Sequence, residues 1–138
     1  MQLVFTSRTH FNMFGFFKRK RGASSVVLFR MEYIKLLNSI RERLLASAHW
    51  DQARFIEELI SLLTNSRFED FIANINGAAM WGGAGSVWEV EMGDVELKTI
   101  FMTDIVKLIN LMDKNNILGY GILPIKKLFT KEIRALRN

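Results

Sequence analysis

The residues best suited to chemistry stand together in the middle of the chain. Met80-Trp81-Gly82-Gly83-Ala84-Gly85-Ser86-Val87-Trp88-Glu89-Val90-Glu91-Met92 sets three glycines within four positions, between two tryptophans. Gly82, Gly83 and Gly85 permit positive φ and close approach of backbone amides to an anion. The stretch nevertheless lacks the Gly-Lys-Ser/Thr ending of a phosphate-binding loop. Nor is it followed at once by a convincing helix, which a dinucleotide loop requires. Glycines that let the chain turn while Trp81 and Trp88 bury against helices explain the pattern with fewer assumptions.

Carboxylates follow directly. Glu89 and Glu91 fall on one side of the chain if residues 86–92 are a strand, and Asp94 and Glu96 come close behind. Paired carboxylates can bind a divalent cation or divide acid and base roles. The regular ligand spacing of an EF-hand is absent, however, and two readings remain: an acidic face that meets a basic partner, and a solvated edge. His10 and His49 are the only histidines, too few for a metal site with one of them in the N-terminal tail. His49 has no identifiable Ser or Thr nucleophile beside it and reads as a surface-turn histidine. The absence of Cys removes thiol nucleophiles, disulfides and thiolate metal sites together. The sequence therefore calls for no catalytic set, cofactor or metal.

A second cluster is Lys18, Arg19, Lys20 and Arg21, preceded by Phe14, Phe16 and Phe17. Aromatics beside bases suit an anionic membrane surface, where rings enter the interface and charges meet head groups. They also suit single-stranded nucleic acid, through stacking. A disordered soluble tail is the alternative. Met13 could itself open the chain, which would leave residues 1–12 outside the protein. Without steady helical or strand spacing of its Phe residues, 1–24 reads as a Phe-rich basic tail, poorly ordered or loosely docked, ahead of one helical domain over 25–138.

The chain that must position these groups has 138 residues, 49% apolar and 24% charged, which excludes wholesale disorder and fits one domain. Its net charge of +5 is concentrated at the ends. Residues 1–30 carry six bases and no acid, residues 31–123 carry eight bases and 13 acids, and residues 124–138 carry five bases against Glu132. A uniformly basic nucleic-acid-binding domain has no such acidic centre. The basic last segment could join the tail's surface or pair with that centre. No apolar run approaches the ~18 residues needed to span a bilayer. The Phe-rich stretch precedes the bases, the reverse of a secretory signal, so a cytoplasmic protein is expected.

Periodicity predicts a mainly α domain of about five helices with a minor β element near residues 86–92. The first helix should run from Ser24 or Ser25 to Ala46, with Tyr33, Leu37, Ile40 and Leu44 on one stripe. The second runs over 50–63 around Phe55, Leu59, Leu62 and Leu63, flanked by Ile56 and Ile60, with Arg54 and Glu58 as a helix ion pair. A third, over 67–76, begins at a Ser66/Glu69 capping box, buries Phe68, Phe71, Ile72 and Ile75, and ends at a left-handed Gly77. Trp88, Val90 and Met92 alternate with Glu89 and Glu91 as a short strand. Gly93-Asp94 is either a hairpin turn or the cap of a helix over 95–113 containing Leu97, Phe101, Ile105, Leu108 and Met112; the four-turn periodicity favours the helix. Pro124 opens the last helix, 124–136, with Ile125, Leu128, Phe129, Ile133 and Leu136 inward.

The Met80–Glu89 segment, with amphipathic helices before it and one after, resembles a group of small bacterial proteins, a domain-of-unknown-function family with a Trp-Gly-Gly-x-Gly-Ser-like motif. The resemblance covers about residues 32–130 and leaves the tail outside. It implies a bacterial helical domain and carries no established chemistry; by analogy, small acidic-centred proteins of this kind act as immunity or partner-binding proteins of toxin systems. The leading expectation is a non-catalytic protein-interaction module, an immunity-type binder that meets a basic protein partner through Trp81, Trp88, Glu89, Glu91, Asp94 and Glu96. The alternative is peripheral binding of nucleic acid or an anionic membrane surface through Lys18, Arg19, Lys20 and Arg21.

Overall fold

Tyr33, Leu37, Ile40 and Leu44 recur at helical spacing, and all four are fully buried on one stripe of a single helix. Each apolar side chain so placed contributes about 1.5–3 kcal/mol relative to exposure. The structure, a computed structural model, describes residues 22–138; residues 1–21, among them Lys18, Arg19, Lys20 and Arg21, lie outside the described residues, while residues 22–24, read above as the end of the tail, are helical. Residues 22–28 are helical (α1). They are followed by α2 (Arg30–Ala46), α3 (Trp50–Thr64), α4 (Phe68–Ile75), the single turn α5 (Ala78–Trp81), a 3-10 turn (Val87–Glu89), α6 (Val95–Lys114) and α7 (Leu123–Arg137). α2 is the centre: it packs against α3 on one side and α6 on the other, while α3 carries α4 and α6 carries α7. One core of buried residues runs from Val26 in α1 to Ile133 in α7.

Three helices stop in the same way. After α2, α3 and α6, the residues Ala48, Ser66 and Asn116 sit at φ 62°, 59° and 60°. The next amide reaches back to the carbonyl five residues earlier: His49 N to Leu44 O (2.9 Å), Arg67 N to Leu62 O (2.8 Å) and Ile117 N to Met112 O (3.0 Å). These are Schellman endings, which satisfy the last carbonyls of a helix and reverse the chain within a few residues. None of them uses glycine.

The same geometry overturns two expectations. Ser66 does not cap α4, because its backbone is taken up in closing α3; the N-cap is Arg67, with no side-chain cap bond. Gly77 is not left-handed but extended, at φ −83° and ψ 177°, and serves as the N-cap of α5. The first helix is interrupted at Phe29, whose backbone (φ −104°, ψ 19°) leaves the helix while its ring takes the Lys114 ammonium 4.5 Å from its centroid.

The expected β element near residues 86–92 is absent; among the described residues there is no strand. Val87–Glu89 forms a 3-10 turn and Val90 is extended. A strand needs a ladder, and no second segment lies alongside to provide one. The Asp94 alternative is resolved as a helix cap, its Oδ1 accepting from Leu97 N at 2.9 Å. Within α3 the buried stripe is Ala53, Ile56, Leu59 and Leu63, while Phe55, Leu62 and Ile60 are half-buried against its flanks. Leu128 and Leu136 of α7 are exposed, leaving Ile125, Phe129 and Ile133 as its buried face. Arg54 pairs with Asp51 at 3.7 Å rather than with Glu58, and with both groups largely in solvent that pair adds little.

Candidate functional site

The 82–92 stretch is irregular, yet nearly every turn of it is fastened by a side chain. The Gly82 carbonyl accepts two bonds, from Ser86 Oγ at 2.9 Å and from the Trp88 indole at 2.8 Å. The Trp81 indole donates to Ile75 O at 2.6 Å. From the start of α3, Gln52 Nε2 donates to Gly85 O at 2.9 Å and His49 Nε2 donates to Glu91 O at 2.7 Å. The last bond requires the proton on Nε2, since a carbonyl only accepts. Gly82 is needed for close approach: a Cβ there would lie 2.6 Å from Ala78 O. Trp81, Trp88 and the glycines thus build the loop itself, and His49 is a positioning group for its backbone.

So held, the stretch forms one wall of a groove of about 270 Å³ whose other walls come from α6 and α7. Its floor is apolar. Met92, Phe101, Met102 and Phe129 are buried, and the Trp88 ring meets Phe129 at a centroid distance of 6.0 Å and an angle of 52°. Its rim is acidic: Glu89, Glu91 and Glu132 face it, against the single base Lys98. Among the described residues none of these three carboxylates forms an ion pair.

The six residues singled out from the sequence separate into two groups. Trp88, Glu89 and Glu91 line the groove; Trp81, Asp94 and Glu96 do not. Asp94 is occupied as the α6 cap, and Glu96, exposed in the first turn of α6, stands where a carboxylate complements the helix dipole. Sequence reasoning missed Lys98, Phe101, Phe129 and Glu132 as groove residues. Glu132 did carry a signal, as the lone acid among the five bases of the last 15 residues.

Three further polar contacts tie the helices together. Ser39 Oγ donates to Asp104 Oδ2 at 2.5 Å, with Asp104 only 7% exposed. Tyr33 OH donates to Asn115 Oδ1 at 2.9 Å, and burial, reinforced by Glu32, pushes its phenol well above the ordinary tyrosine range. Asn76 bridges two segments, donating to Ile117 O at 2.8 Å and accepting from Gly119 N at 2.7 Å. A Cβ on Gly119 would collide with Asn76 Oδ1, so any larger residue there would have to push the Asn76 side chain out of this bridge. Each of these contacts joins core elements and faces no cavity among those described.

No protein-family model, curated protein or solved structure matches the chain.

Proposed function

We propose that the protein is a non-catalytic interaction module that receives a basic segment of a partner protein in the groove between residues 87–92, α6 and α7. The observation that carries this reading is the pairing of an aromatic floor with a carboxylate rim. Trp88 and Phe129 offer a surface for the aliphatic stem of an arginine or lysine, and Glu89, Glu91 and Glu132 surround the position its charged head would take. Carboxylates without a partner keep their full capacity for charge-assisted hydrogen bonds. An immunity-type role, drawn by analogy with small acidic-centred proteins, is the biological form of this reading.

The test is titration of the full chain with Arg- and Lys-rich peptides, followed by calorimetry and by the part of the tryptophan fluorescence that a Trp88→Phe variant loses. Glu89→Gln, Glu91→Gln and Glu132→Gln combined should weaken binding roughly 10- to 100-fold, the cost of about 1–3 kcal/mol for three rim charges. Peptide binding unchanged in the triple variant would place the interaction elsewhere.

A further inference from the structure

The outward face of α7 has a different character from the groove. Lys127, Lys131 and Arg134 follow at i, i+4 and i+7, which puts them on one face over about 10 Å of helix. All three are exposed, and the opposite face, Ile125, Phe129 and Ile133, is buried in the core. Lys126 and Arg137 stand on its borders. Among the described residues no carboxylate pairs with any of the five bases. The helix's only acid, Glu132, lines the groove instead. Like charges at i, i+4 oppose helix formation, an effect that the C-terminal dipole offsets in part at Arg134 and that an anionic surface would relieve further.

Large apolar groups border the bases. Leu123, four residues before Lys127 and on the same face, is 47% exposed, and Tyr120, just ahead of the helix, is exposed over its whole surface at 108%. A duplex backbone is held by charged and polar groups and gives such side chains nothing to bury against, and a single strand, whose bases can stack on Tyr120, offers Leu123 no apolar layer to enter. A bilayer interface accepts both classes, with bases among the head groups and Tyr and Leu entering the boundary below them.

We infer that the outward face of α7 docks on an anionic lipid bilayer, with Lys127, Lys131 and Arg134 meeting head groups and Tyr120 and Leu123 entering the interface. Docking is peripheral: no described helix is long and apolar enough to cross a membrane, and the apolar stripe of α7 stays within the domain core. The inference is independent of the groove, whose charge has the opposite sign.

The test is cosedimentation of the full chain with phosphatidylcholine vesicles, with and without about one-third phosphatidylserine. The parent should bind only the anionic vesicles, and Lys127→Gln/Lys131→Gln/Arg134→Gln should lower partitioning about a hundredfold. Tyr120→Ser/Leu123→Ser, with charge intact, should lower vesicle partitioning severalfold and leave duplex-DNA binding unchanged. Glu89→Gln/Glu91→Gln should leave partitioning at the parent level, which separates this face from the groove. Circular dichroism of each variant should match the parent, since every substituted side chain is exposed. The inference is overturned if the parent ignores anionic vesicles or if the triple variant partitions like the parent, which would put binding in other bases such as Lys18–Arg21. It is also overturned if the Tyr120/Leu123 variant retains full partitioning while the triple variant loses DNA and vesicles alike, the behaviour of a general polyanion site.

Discussion

The two sides of α7 carry opposite charge and are constructed on opposite terms. On the groove side, Glu89 and Glu91 stand on irregular backbone that bonds from His49, Gln52, Ser86 and Trp88 hold in one path, above a buried floor. On the outward side, Lys127, Lys131 and Arg134 stand on regular helix, with no side chain of the described residues to orient them. Charges fixed above a shaped floor can discriminate between ligands by geometry. Charges on long mobile stems that share one sign respond mainly to the density of opposite charge they meet. The molecule therefore has one surface suited to selectivity and one suited to accumulation.

Three substitutions test this contrast through stability. The largest effect is expected at Phe101, buried beneath the groove: Phe101→Ala should destabilise the fold by about 3–5 kcal/mol in chemical denaturation and quench any ligand response of Trp88. A loss under 1 kcal/mol would mean the floor is loosely packed and the groove not preformed. Tyr33→Phe measures the seam that supports both sides, where losing the bond to Asn115 should cost about 1–3 kcal/mol at neutral pH. The sign of its pH dependence follows from the raised phenol. The fold favours the neutral form, so the contribution is complete below the ordinary pKa of 10.0 and falls as pH climbs past it. The parent should lose stability there faster than the Phe variant, and parallel curves would contradict the burial that raises the phenol. The smallest effect is expected at Lys131→Glu, which replaces like-charge neighbours at i−4 and i+3 by opposite ones and should stabilise by about 0.5 kcal/mol. Destabilisation instead would show that Lys131 has an anionic partner within the protein.

What could be read in advance depended on the range of the interaction. The stripe Tyr33, Leu37, Ile40 and Leu44, and the run Leu97, Phe101, Ile105, Leu108 and Met112, were legible because a helix sorts apolar residues by local period; all are buried except Leu97, which is half-buried against the core. The face of α3 was less so: Phe55 and Leu62 are as apolar as Ile56 and Leu59, and only the neighbouring helices decide which of them is fully enclosed. Alternation at Trp88, Val90 and Met92 suggested a strand, yet the bonds that fix this stretch and the loop before it come from His49 to Glu91 and from Gln52 to Gly85, 42 and 33 residues apart, and no local pattern encodes that. Among the site residues, Trp88, Glu89 and Glu91 were visible as an aromatic–acidic cluster. Phe129 and Glu132 joined them only once α7 had folded back over α6. The seam bonds Ser39–Asp104 and Tyr33–Asn115 span 65 and 82 residues, beyond the reach of spacing rules.

The tight stops at Ala48, Ser66 and Asn116 also bear on how the chain reaches this state. By reversing direction within a few residues they keep most packed helices adjacent in sequence: α2 with α3, α3 with α4, and α6 with α7. Contact order is correspondingly low, the regime of fast folding. One pairing departs from it. α2 must find α6 across the whole of α3, α4 and the glycine loop, and so bears most of the loop-closure entropy. In the folded chain two locally connected halves meet along α2 and α6, and Tyr33–Asn115 and Ser39–Asp104 are the bonds that fix their register.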